Sequence, residues 1–559
     1  MTILIRGIGG FLAGSLAAAL LLAPLSGAAT AQTATPPPAC STGTVGTADG
    51  DVCGTVSATS TGKKANAYLG IPFAESTAGG NRWAAPVPRR PWSGTFTATQ
   101  FGAVCPQVVP TQPMPNPKAK VTALSITVAG SEDCLSVNVW MPETAKADAG
   151  LPVMVYIPGG GFTQDGSASP VYDGAYLAAN RNVVLVTLNY RLGVLGFLAG
   201  EGLTGNYGFL DQQAALAWVH RNIRAFGGDP GKVTLFGESA GAMSVGLHLF
   251  SAPGSQPFFR AAIMESNFLG LPYQTLENAV DVGNLFKQSL NCRDTDCMRA
   301  QSVDDLLGAQ SRFTPQADTI FTGEKYYLTF APVIDGTTLL RQPMQAAQSQ
   351  APGKPFMIGF NKNEMIPFYQ NQPTTPMEYA AATAFLFGRQ FQKVVDRYPP
   401  KDGPDNWVLT ANVYGEQFIT CSTLYAATRV DAPVHVYLFA HQPSFPLAGP
   451  QCQIDDRVCH GVELPFVFHT ADQLGATFTP EEARLSDQMT IYWTNFAAHL
   501  NPNGEAGKAG DQPQWPAFTA QGRELLTLLL PTPVAVTDPY RDVCPFWDGI
   551  GYDLTDPWP

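Results

Sequence analysis

The most informative stretch of the sequence is Val233-Thr234-Leu235-Phe236-Gly237-Glu238-Ser239-Ala240-Gly241, in which an apolar run of strand length leads directly into the pattern G-x-S-x-G. The residues that follow, Ala242 to Leu249, are typical of a helix. Between a strand and a helix, this pattern predicts a sharp turn that holds the serine hydroxyl out at the top of a sheet. The two glycines leave room for such a turn, so Ser239 is a candidate nucleophile for acyl chemistry. The alternative is a glycine-rich loop with an idle serine.

Apolar runs of strand length alternate with helical patterns along the rest of the chain. Five runs are predicted to be buried strands: Leu151 to Ile157, Val183 to Leu188, Val233 to Phe236, Phe356 to Phe360 and Val434 to Phe439. One apolar helix face lies between the second and third runs and consists of Leu216, Val219, Ile223 and Phe226. This alternation predicts an α/β fold with a mostly parallel central sheet flanked by helices. Asn363 to Asp431 is expected to hold much of a helical cap inserted into this single domain.

The composition is typical of a globular protein. Of the 559 residues, 45% are hydrophobic and 14% are charged, which argues against disorder. The formal net charge is -12, and the chain has no basic tract. Nucleic acid is therefore not expected as a partner.

The first 31 residues have the pattern of a secretory signal peptide. Arg6 supplies the positive charge, Ile8 to Ala23 form an apolar run, and Ala29-Thr30-Ala31 offers a cleavage site. A membrane anchor is the alternative, but the run is short for a transmembrane span. We expect a signal peptide over 1–31 and one catalytic domain over 32–559, exported to the periplasm or secreted, with no membrane span after signal removal.

Ten cysteines in an exported chain indicate oxidised pairs. Spacing alone suggests three loops, closed by Cys292 with Cys297, Cys452 with Cys459, and Cys105 with Cys134. None of these pairs has the C-x-x-C spacing of a zinc site, so no metal cluster is expected.

A serine nucleophile needs a base to take its proton and a third group to orient that base. Five histidines follow Ser239 at a distance that leaves room for an acid: His435, His441, His460, His469 and His499. His435 alternates within a predicted strand and His499 lies in a helical run, so both are expected to be structural. His460 lies beside Gly461 in a loop next to a candidate disulfide, which favours it as the base.

The acid is expected just past the end of a strand, where sites form in parallel sheets. Glu364 follows the predicted strand Phe356 to Phe360 and is the leading candidate. Asp335 is the alternative, although its simpler role is a turn residue before Gly336.

A tetrahedral intermediate also needs fixed hydrogen-bond donors. Gly159-Gly160-Gly161 follows a predicted strand, and glycines let backbone N–H groups approach an oxyanion. The N–H group of Ala240 is the third expected donor. A flexible loop or a phosphate cradle is the alternative, but the chain lacks the rest of a phosphate-binding motif.

Several longer motifs accompany this constellation: AYLGIPFA at 67–74, EDCLSVNV at 132–139, GGGF at 159–162, NYR at 189–191, NYGFLDQ at 206–212 and FGGDP at 226–230. With these motifs the chain resembles the type-B carboxylesterase family, which includes cholinesterases and bacterial para-nitrobenzyl esterases. The resemblance extends from about Val52 to Asp548. It implies an α/β-hydrolase fold.

The resemblance also implies roles for particular residues. The implied triad is Ser239, Glu364 and His460, and the implied oxyanion hole consists of Gly160, Gly161 and Ala240. The implied disulfides are Cys105–Cys134, Cys292–Cys297 and the long-range Cys421–Cys544, which leaves Cys40–Cys53 and Cys452–Cys459 by elimination. Arg82 and Glu132 resemble a family ion pair, and Ser266 matches a family serine near the histidine.

Departures from the family pattern bear on the substrate. Cholinesterases place a tryptophan in the loop that corresponds to Cys105 to Cys134, where it holds a quaternary ammonium group. This loop contains no aromatic residue here, so choline esters are not expected. An uncharged ester, either a small molecule or a polymer, is expected in a pocket formed by Phe162, Tyr326, Leu328, Phe330 and Phe368.

The sequence therefore predicts a serine carboxylic ester hydrolase that works through an acyl-enzyme and needs no metal or cofactor. Amide or carbamate hydrolysis, or acyl transfer, is an alternative use of the same machinery. A non-catalytic adhesion or binding module is the alternative from a different class, because the fold includes adhesion proteins that lack the nucleophile.

Overall fold

The computed structural model describes residues 38–109, 127–320, 328–349, 353–369, 374–403, 406–505, 507 and 511–552. The expected signal segment and Tyr326 lie outside these ranges. The largest sheet has eleven strands. In chain order they are β1 (Thr55–Ala58), β2 (Lys64–Pro72), β3 (Ser136–Pro142), β4 (Leu151–Ile157), β5 (Val184–Leu188), β6 (Gly228–Glu238), β7 (Ala261–Glu265), β8 (Phe356–Asn361), β9 (Val434–Phe439), β10 (Glu524–Leu528) and β11 (Val534–Thr537).

The sheet is mixed, with its parallel strands in the middle. Its order is β11-β10-β9-β8-β7-β6-β4-β5-β3-β2-β1. The strands from β4 to β10 run parallel to their neighbours, whereas β11 at one edge and β3, β2 and β1 at the other are antiparallel. The expectation of a mostly parallel α/β sheet is confirmed, with antiparallel additions at both edges.

Helices flank this sheet and build the cap. They are α1 (Ala175–Arg181), α2 (Gly193–Phe197), α3 (Tyr207–Asn222), α4 (Ala240–Phe250), α5 (Leu276–Ser289), α6 (Thr295–Arg299), α7 (Val303–Ile320), α8 (Pro343–Gln348), α9 (Pro376–Phe387), α10 (Phe391–Arg397), α11 (Trp407–Gly415), α12 (Cys421–Ala427), α13 (Leu464–Phe468), α14 (Pro480–His499) and α15 (Cys544–Ile550). Helices α9 to α12 lie between β8 and β9, where the cap was expected. No helix within the described ranges has the length and apolar character needed to cross a membrane.

Shorter strands pair outside the main sheet. They are Val45–Thr47, Gly50–Cys53 and Thr95–Thr97 in one sheet, and the pairs Gln107–Val109 with Thr127–Ala129, Ala199–Gly200 with Leu203–Thr204, and Gln274–Thr275 with Val333–Ile334.

Local sequence explains where several helices begin and end. Thr375 and Thr479 begin α9 and α14 with capping boxes, in which Glu378 and Glu482 bind back to the cap backbone. Gly227 adopts φ 83° after the short helix that extends α3, and this conformation favours glycine. The chain is thereby turned into β6, which leads to Ser239.

The ten cysteines form five disulfides, each with the partner expected from the sequence: Cys40–Cys53, Cys105–Cys134, Cys292–Cys297, Cys421–Cys544 and Cys452–Cys459. The longest closes a separation of 123 residues and ties α12 to α15. Five disulfides fit a protein that folds in an oxidising compartment outside the cytoplasm.

A buried ion pair fastens the segment after β5 to helix α3. The Arg191 guanidinium donates to both carboxylate oxygens of Asp211 at 2.7 Å, and the Arg191 backbone N–H donates to Asp211 Oδ2 at 3.0 Å. The two side chains are 2% and 0% exposed. Loss of one partner would leave the other charge unpaired away from water, which is costly.

The substitution Asp211→Asn is therefore expected to lower the free energy of unfolding by about 3–5 kcal/mol. Urea unfolding monitored by tryptophan fluorescence measures the change. The matched control is Asp148→Asn, since Asp148 lies 3.8 Å from Arg224 in an exposed pair; it should change stability by no more than about 0.5 kcal/mol. Equal losses in the two variants would contradict this account of the ion pair.

Candidate active site

Ser239 lies in a strained turn between β6 and α4. We call residues 237–241 the serine turn. Ser239 has φ 57° and ψ -125°, a conformation that non-glycine residues rarely adopt. A Cβ atom on Gly241 would lie 2.0 Å from the carbonyl oxygen of Ile157, and one on Gly237 would lie 2.8 Å from the same oxygen. Only glycine fits at these positions, so the serine turn packs directly on the end of β4.

The residues after β4 form a second turn against Ser239. We call residues 158–166 the glycine loop. A Cβ atom on Gly159 would lie 3.3 Å from Ser239 Cβ, and one on Gly160 would lie 2.2 Å from the carbonyl oxygen of Gln164. The carbonyl oxygen of Gly160 accepts N–H groups of Thr163 and Gln164, both at 3.1 Å. The loop is therefore compact, and glycine is sterically required where it meets the serine.

The candidate backbone donors differ in their exposure. Gly160 and Gly161 are partly exposed, like Ser239, whereas Ala240 is buried. Ala240 is the first residue of α4, where backbone N–H groups have no acceptor within the helix.

Glu364 lies in the turn that follows β8. Its Oε1 accepts the backbone N–H of Asn361 at 2.6 Å, and its Oε2 lies 2.7 Å from Nδ1 of His460. Asp335, the alternative acid, instead caps a turn: its Oδ1 accepts the backbone N–H groups of Thr337, Thr338 and Leu339. The structure therefore places Glu364, not Asp335, against the histidine.

The His460 loop is fastened to the Glu364 turn by backbone hydrogen bonds. The N–H of Asn363 donates to the carbonyl of Val458 at 2.8 Å, and the Asn361 side-chain amide donates to the carbonyl of Cys459 at 2.8 Å. The disulfide Cys452–Cys459 closes the same loop. Acid and histidine are thus held as one unit between β8 and α13.

The second ring nitrogen of His460 faces the serine turn. Its Nε2 lies 3.0 Å from Oε1 of Glu238, the residue before Ser239, and neither atom makes a hydrogen bond. Burial lowers the pKa of His460, but the carboxylates of Glu238 and Glu364 outweigh it and hold this pKa well above the ordinary 6.5. The ring is therefore a strong proton acceptor in an anionic surrounding.

The remaining candidate histidines have structural contacts. His435 lies in β9, and burial lowers its pKa to about 4. His441 Nε2 lies 3.0 Å from Glu482, and His469 Nδ1 lies 2.7 Å from the Ser486 hydroxyl. His499 is the last residue of α14.

Two further buried glutamates near the site were missed by sequence reasoning. Burial and then the charge of Glu463 raise the pKa of Glu265 well above its ordinary value, although Glu265 accepts the Trp493 indole N–H. Burial, Glu238 and Glu364 raise the pKa of Glu463 to about 8. Ser266, the serine expected near the histidine, directly follows β7 with φ 55° and is fully buried. Glu463 lies only three positions after His460, which is the one local signal for it.

The expected pocket residues divide into two groups. Phe162 and Phe330 are 0% and 2% exposed, and their rings pack against Phe197 and Phe286 respectively. These two rings belong to the core and do not line an open pocket, which corrects the expectation for them. Leu328 is partly buried at the edge of the described residues. Phe368 packs on His460, with ring centroids 5.3 Å apart.

Phe268 is an additional aromatic neighbour that the sequence did not indicate. Its ring centroid lies 5.4 Å from that of His460 and 6.2 Å from that of Phe368. Two phenylalanine rings therefore flank the histidine.

The expected ion pair near the first disulfide loop is present, with Arg82 donating to both carboxylate oxygens of Glu132 at 2.7 Å.

Comparisons with known proteins place the chain in a family. The model of the carboxylesterase family matches residues 41–547. The para-nitrobenzyl esterase of Bacillus subtilis is 36% identical over 481 residues, which cover 82% of this chain and 90% of that protein. The pyrethroid hydrolase Ces2e of Rattus norvegicus is 35% identical over 480 residues, covering 81% and 80% of the two chains. The cAMP-regulated D2 protein of Dictyostelium discoideum is 32% identical over 490 residues, covering 85% and 87%.

The carboxylate beside His460 Nε2 leads to a prediction about the pKa of this histidine. Because the Glu238 carboxylate stabilises the charged imidazolium, Glu238→Gln should lower the His460 pKa. Nitrogen NMR of histidine-labelled protein measures the pKa in each variant. Glu378→Gln, the same change at a helix cap, should leave the His460 titration where it is. An unchanged or higher pKa in Glu238→Gln would contradict the assigned cause.

Proposed function

The chain belongs to the carboxylesterase family and is an ester hydrolase, and we propose that it cleaves esters through an acyl-enzyme formed on Ser239. The observation that carries this proposal is the 2.7 Å contact between Glu364 and His460. Glu364 follows β8 and His460 follows β9. Both residues therefore lie beyond the carboxyl ends of parallel strands, as does the serine turn that follows β6. Nucleophile, orienting acid and base then occur in the chain order of α/β-hydrolases.

In the first step of the proposed reaction, Ser239 Oγ attacks the ester carbonyl carbon and its proton passes to His460 Nε2. The carbonyl oxygen becomes an oxyanion, which accepts the backbone N–H groups of Gly160, Gly161 and Ala240. Glu364 holds the Nδ1 proton and stabilises the imidazolium. The C–O bond then breaks, and His460 returns the proton to the leaving alcohol.

In the second step, water attacks the acyl-enzyme and gives one proton to His460. A second oxyanion forms on the same N–H groups. Its collapse releases the carboxylic acid, and the proton returns to Ser239. The chemistry is balanced by the ester and water alone.

Glu238 adjusts the base in this scheme. His460 accepts a proton only when its ring is neutral. Because its pKa is raised, the neutral ring becomes the main form only at a pH well above the ordinary 6.5. Glu238 and Glu364, which raise this pKa, also stabilise the imidazolium that forms during attack. We therefore expect activity to fall on acidification, as the ring becomes protonated before substrate binds.

The proposed substrate is an uncharged ester with an apolar or aromatic group. Phe268 and Phe368 flank His460 and are 6% and 8% exposed, and we infer that the apolar group of the ester packs against their exposed edges. Two relatives bear names of uncharged aromatic esters, the para-nitrobenzyl ester and the pyrethroid. A polymer ester with similar groups belongs to the same proposal.

We propose that the protein is exported, because disulfides form and persist in oxidising compartments outside the cytoplasm. Cleavage of the segment 1–31 after Ala31 would leave residues 32–559 as the catalytic domain, in a compartment where the five disulfides persist.

Ser239→Ala is expected to lower kcat for para-nitrophenyl butyrate by at least about 10⁴-fold, because the covalent step is lost. A fluorophosphonate should label the parent protein once, at Ser239, and should not label this variant. Ser266→Ala is the matched control, since Ser266 also follows a strand at positive φ but is buried; this variant should still be labelled. Normal turnover by Ser239→Ala would exclude the proposed nucleophile.

The charge preference is tested with acetylcholine and its neutral carbon analogue 3,3-dimethylbutyl acetate. The loop from Cys105 to Cys134 has no aromatic face to bind the cation. The neutral ester should therefore have a kcat/KM at least equal to that of acetylcholine. A preference for acetylcholine of about tenfold or more, equivalent to ~1.4 kcal/mol, would contradict the proposed substrate class.

A further inference from the structure

Asp165 is a carboxylate at the end of the glycine loop that the proposed reaction does not use. Its Oδ2 accepts the Tyr172 hydroxyl at 2.6 Å, and its Oδ1 accepts the backbone N–H of Gly166 at 2.7 Å. The residue adopts φ 77°, a conformation that costs free energy for a side chain other than glycine. The positive φ of Asp165 is thus maintained by the surrounding contacts, and such backbone strain is often found at functional sites.

The backbone of Asp165 is clamped as firmly as its side chain. Its N–H donates to Oε1 of Gln107 at 2.8 Å, and its carbonyl accepts Nε2 of Gln107 at 2.9 Å. Gln107 is buried in the loop that the Cys105–Cys134 disulfide closes. Asp165 is therefore held from two sides, by Gln107 through its backbone and by Tyr172 through its carboxylate.

Tyr172 is itself fixed in the core. It ends a short 3₁₀ helix, Pro170–Tyr172, and is 1% exposed. Its ring centroid lies 4.5 Å from that of Tyr156 in β4 and 5.8 Å from that of Phe468 in α13. Tyr156 is the last residue but one of β4, and the glycine loop follows this strand. The packing on Tyr156 therefore fixes the position of Tyr172 beside the glycine loop.

The clamp determines the direction of a candidate oxyanion donor. The Gly160 carbonyl points toward the N–H groups of Thr163 and Gln164, two and one residues before Asp165. In a trans peptide the following N–H, that of Gly161, points the opposite way. A Cβ atom on Gly160 would lie 2.9 Å from Asp165 Cβ, so Asp165 lies close to this glycine. The side chain of Asp165 is therefore beside the peptide whose N–H group is the candidate donor.

Among the described residues, no lysine or arginine forms an ion pair with the Asp165 carboxylate. Tyr172, Tyr190 and Glu238 are the titratable groups that interact with it electrostatically. Burial raises the pKa of Asp165 to about 6, although the hydrogen bonds from Tyr172 and Gly166 lower it. The Asp165 carboxylate is therefore held by the hydrogen bonds from Tyr172 and Gly166 and not by an ion pair.

We propose that Asp165 is a positioning residue, whose hydrogen bond from Tyr172 holds the glycine loop so that the Gly161 N–H faces the oxyanion. This inference rests on the proposed acyl-enzyme reaction. An oxyanion is present in the transition state and not in the bound ester, so the contribution of Asp165 falls on kcat and not on KM. A displacement of about 1 Å in such a donor is enough to slow the reaction about 100-fold.

The test compares Asp165→Asn, Tyr172→Phe and the double variant with the parent enzyme. Asn tolerates positive φ and has the size of Asp, but it replaces one of the two carboxylate oxygens by an NH2 group. Because Gly166 and Tyr172 donate to different oxygens, they cannot both keep their acceptor. Phe removes only the hydroxyl donor. Asp173→Asn is the matched control, because Asp173 is partly buried and accepts a backbone N–H of α1 without touching the glycine loop. Fluorophosphonate titration counts the competent sites in each preparation, so that kcat refers to folded enzyme.

Both single variants should lose about tenfold or more in kcat for para-nitrophenyl butyrate, with KM within about twofold of the parent value. Their Ki for a trifluoromethyl ketone, which forms an oxyanion on the enzyme, should rise by the same factor as kcat falls. The double variant should be no slower than the slower single variant, because both changes break one contact. Asp173→Asn should match the parent, and the acid limb of kcat/KM should stay in place because His460 sets it.

Two failures are distinguishable. If the parent enzyme is not labelled at Ser239, the proposed reaction fails and the inference with it. If labelling and Ser239→Ala behave as proposed but kcat and Ki in both single variants equal the parent values, the inference alone is overturned. A fall in thermal stability, or a rise in KM, without a change in kcat and Ki would also overturn it, since that pattern indicates a purely structural role.

Discussion

The carbonyl oxygen of Ile157 leaves no room for side chains on the two glycines of the serine turn that face it. A Cβ atom at Gly241 would lie only 2.0 Å away, closer than any non-bonded contact allows. This constraint brings the end of β4 and the start of α4 together, and so fixes the glycine loop against Ser239. The parallel register of β6 with β4 and β7 supplies the rest, because each neighbouring strand delivers its next residues to the same edge.

The second controlling feature is the excess of carboxylates around one imidazole. Glu238 and Glu364 lie 3.0 and 2.7 Å from the two nitrogens of His460. Burial and the charge of Glu463 raise the pKa of Glu265, and burial with the charges of Glu238 and Glu364 raises the pKa of Glu463. Glu238 and Glu364 stabilise the imidazolium of the proposed intermediate, and they also raise the pH at which the neutral base becomes available.

The sequence predicted the elements whose signals are local. Apolar runs located β4, β5, β8 and β9, and the pattern around Ser239 located the turn, because strand period and glycine placement are properties of neighbouring residues. The antiparallel strands were not predicted, because β1 and β11 have only four residues each and polar residues interrupt the apolar runs of β2 and β3. The parallel strands β7 and β10 were not predicted either. The burial of Phe162, the contact of Glu238 with His460 and the clamp on Asp165 each depend on packing between distant segments, which no local pattern records.

A crystal structure of the enzyme with a covalently bound phosphonate tests the proposed acyl-enzyme reaction directly. We expect a bond from phosphorus to Ser239 Oγ, with the phosphoryl oxygen about 2.7–3.1 Å from the backbone nitrogens of Gly160, Gly161 and Ala240. His460 should retain its contact with Glu364. A phosphorus atom on another residue, or a phosphoryl oxygen away from these three nitrogens, would exclude the proposed nucleophile or the proposed oxyanion hole respectively.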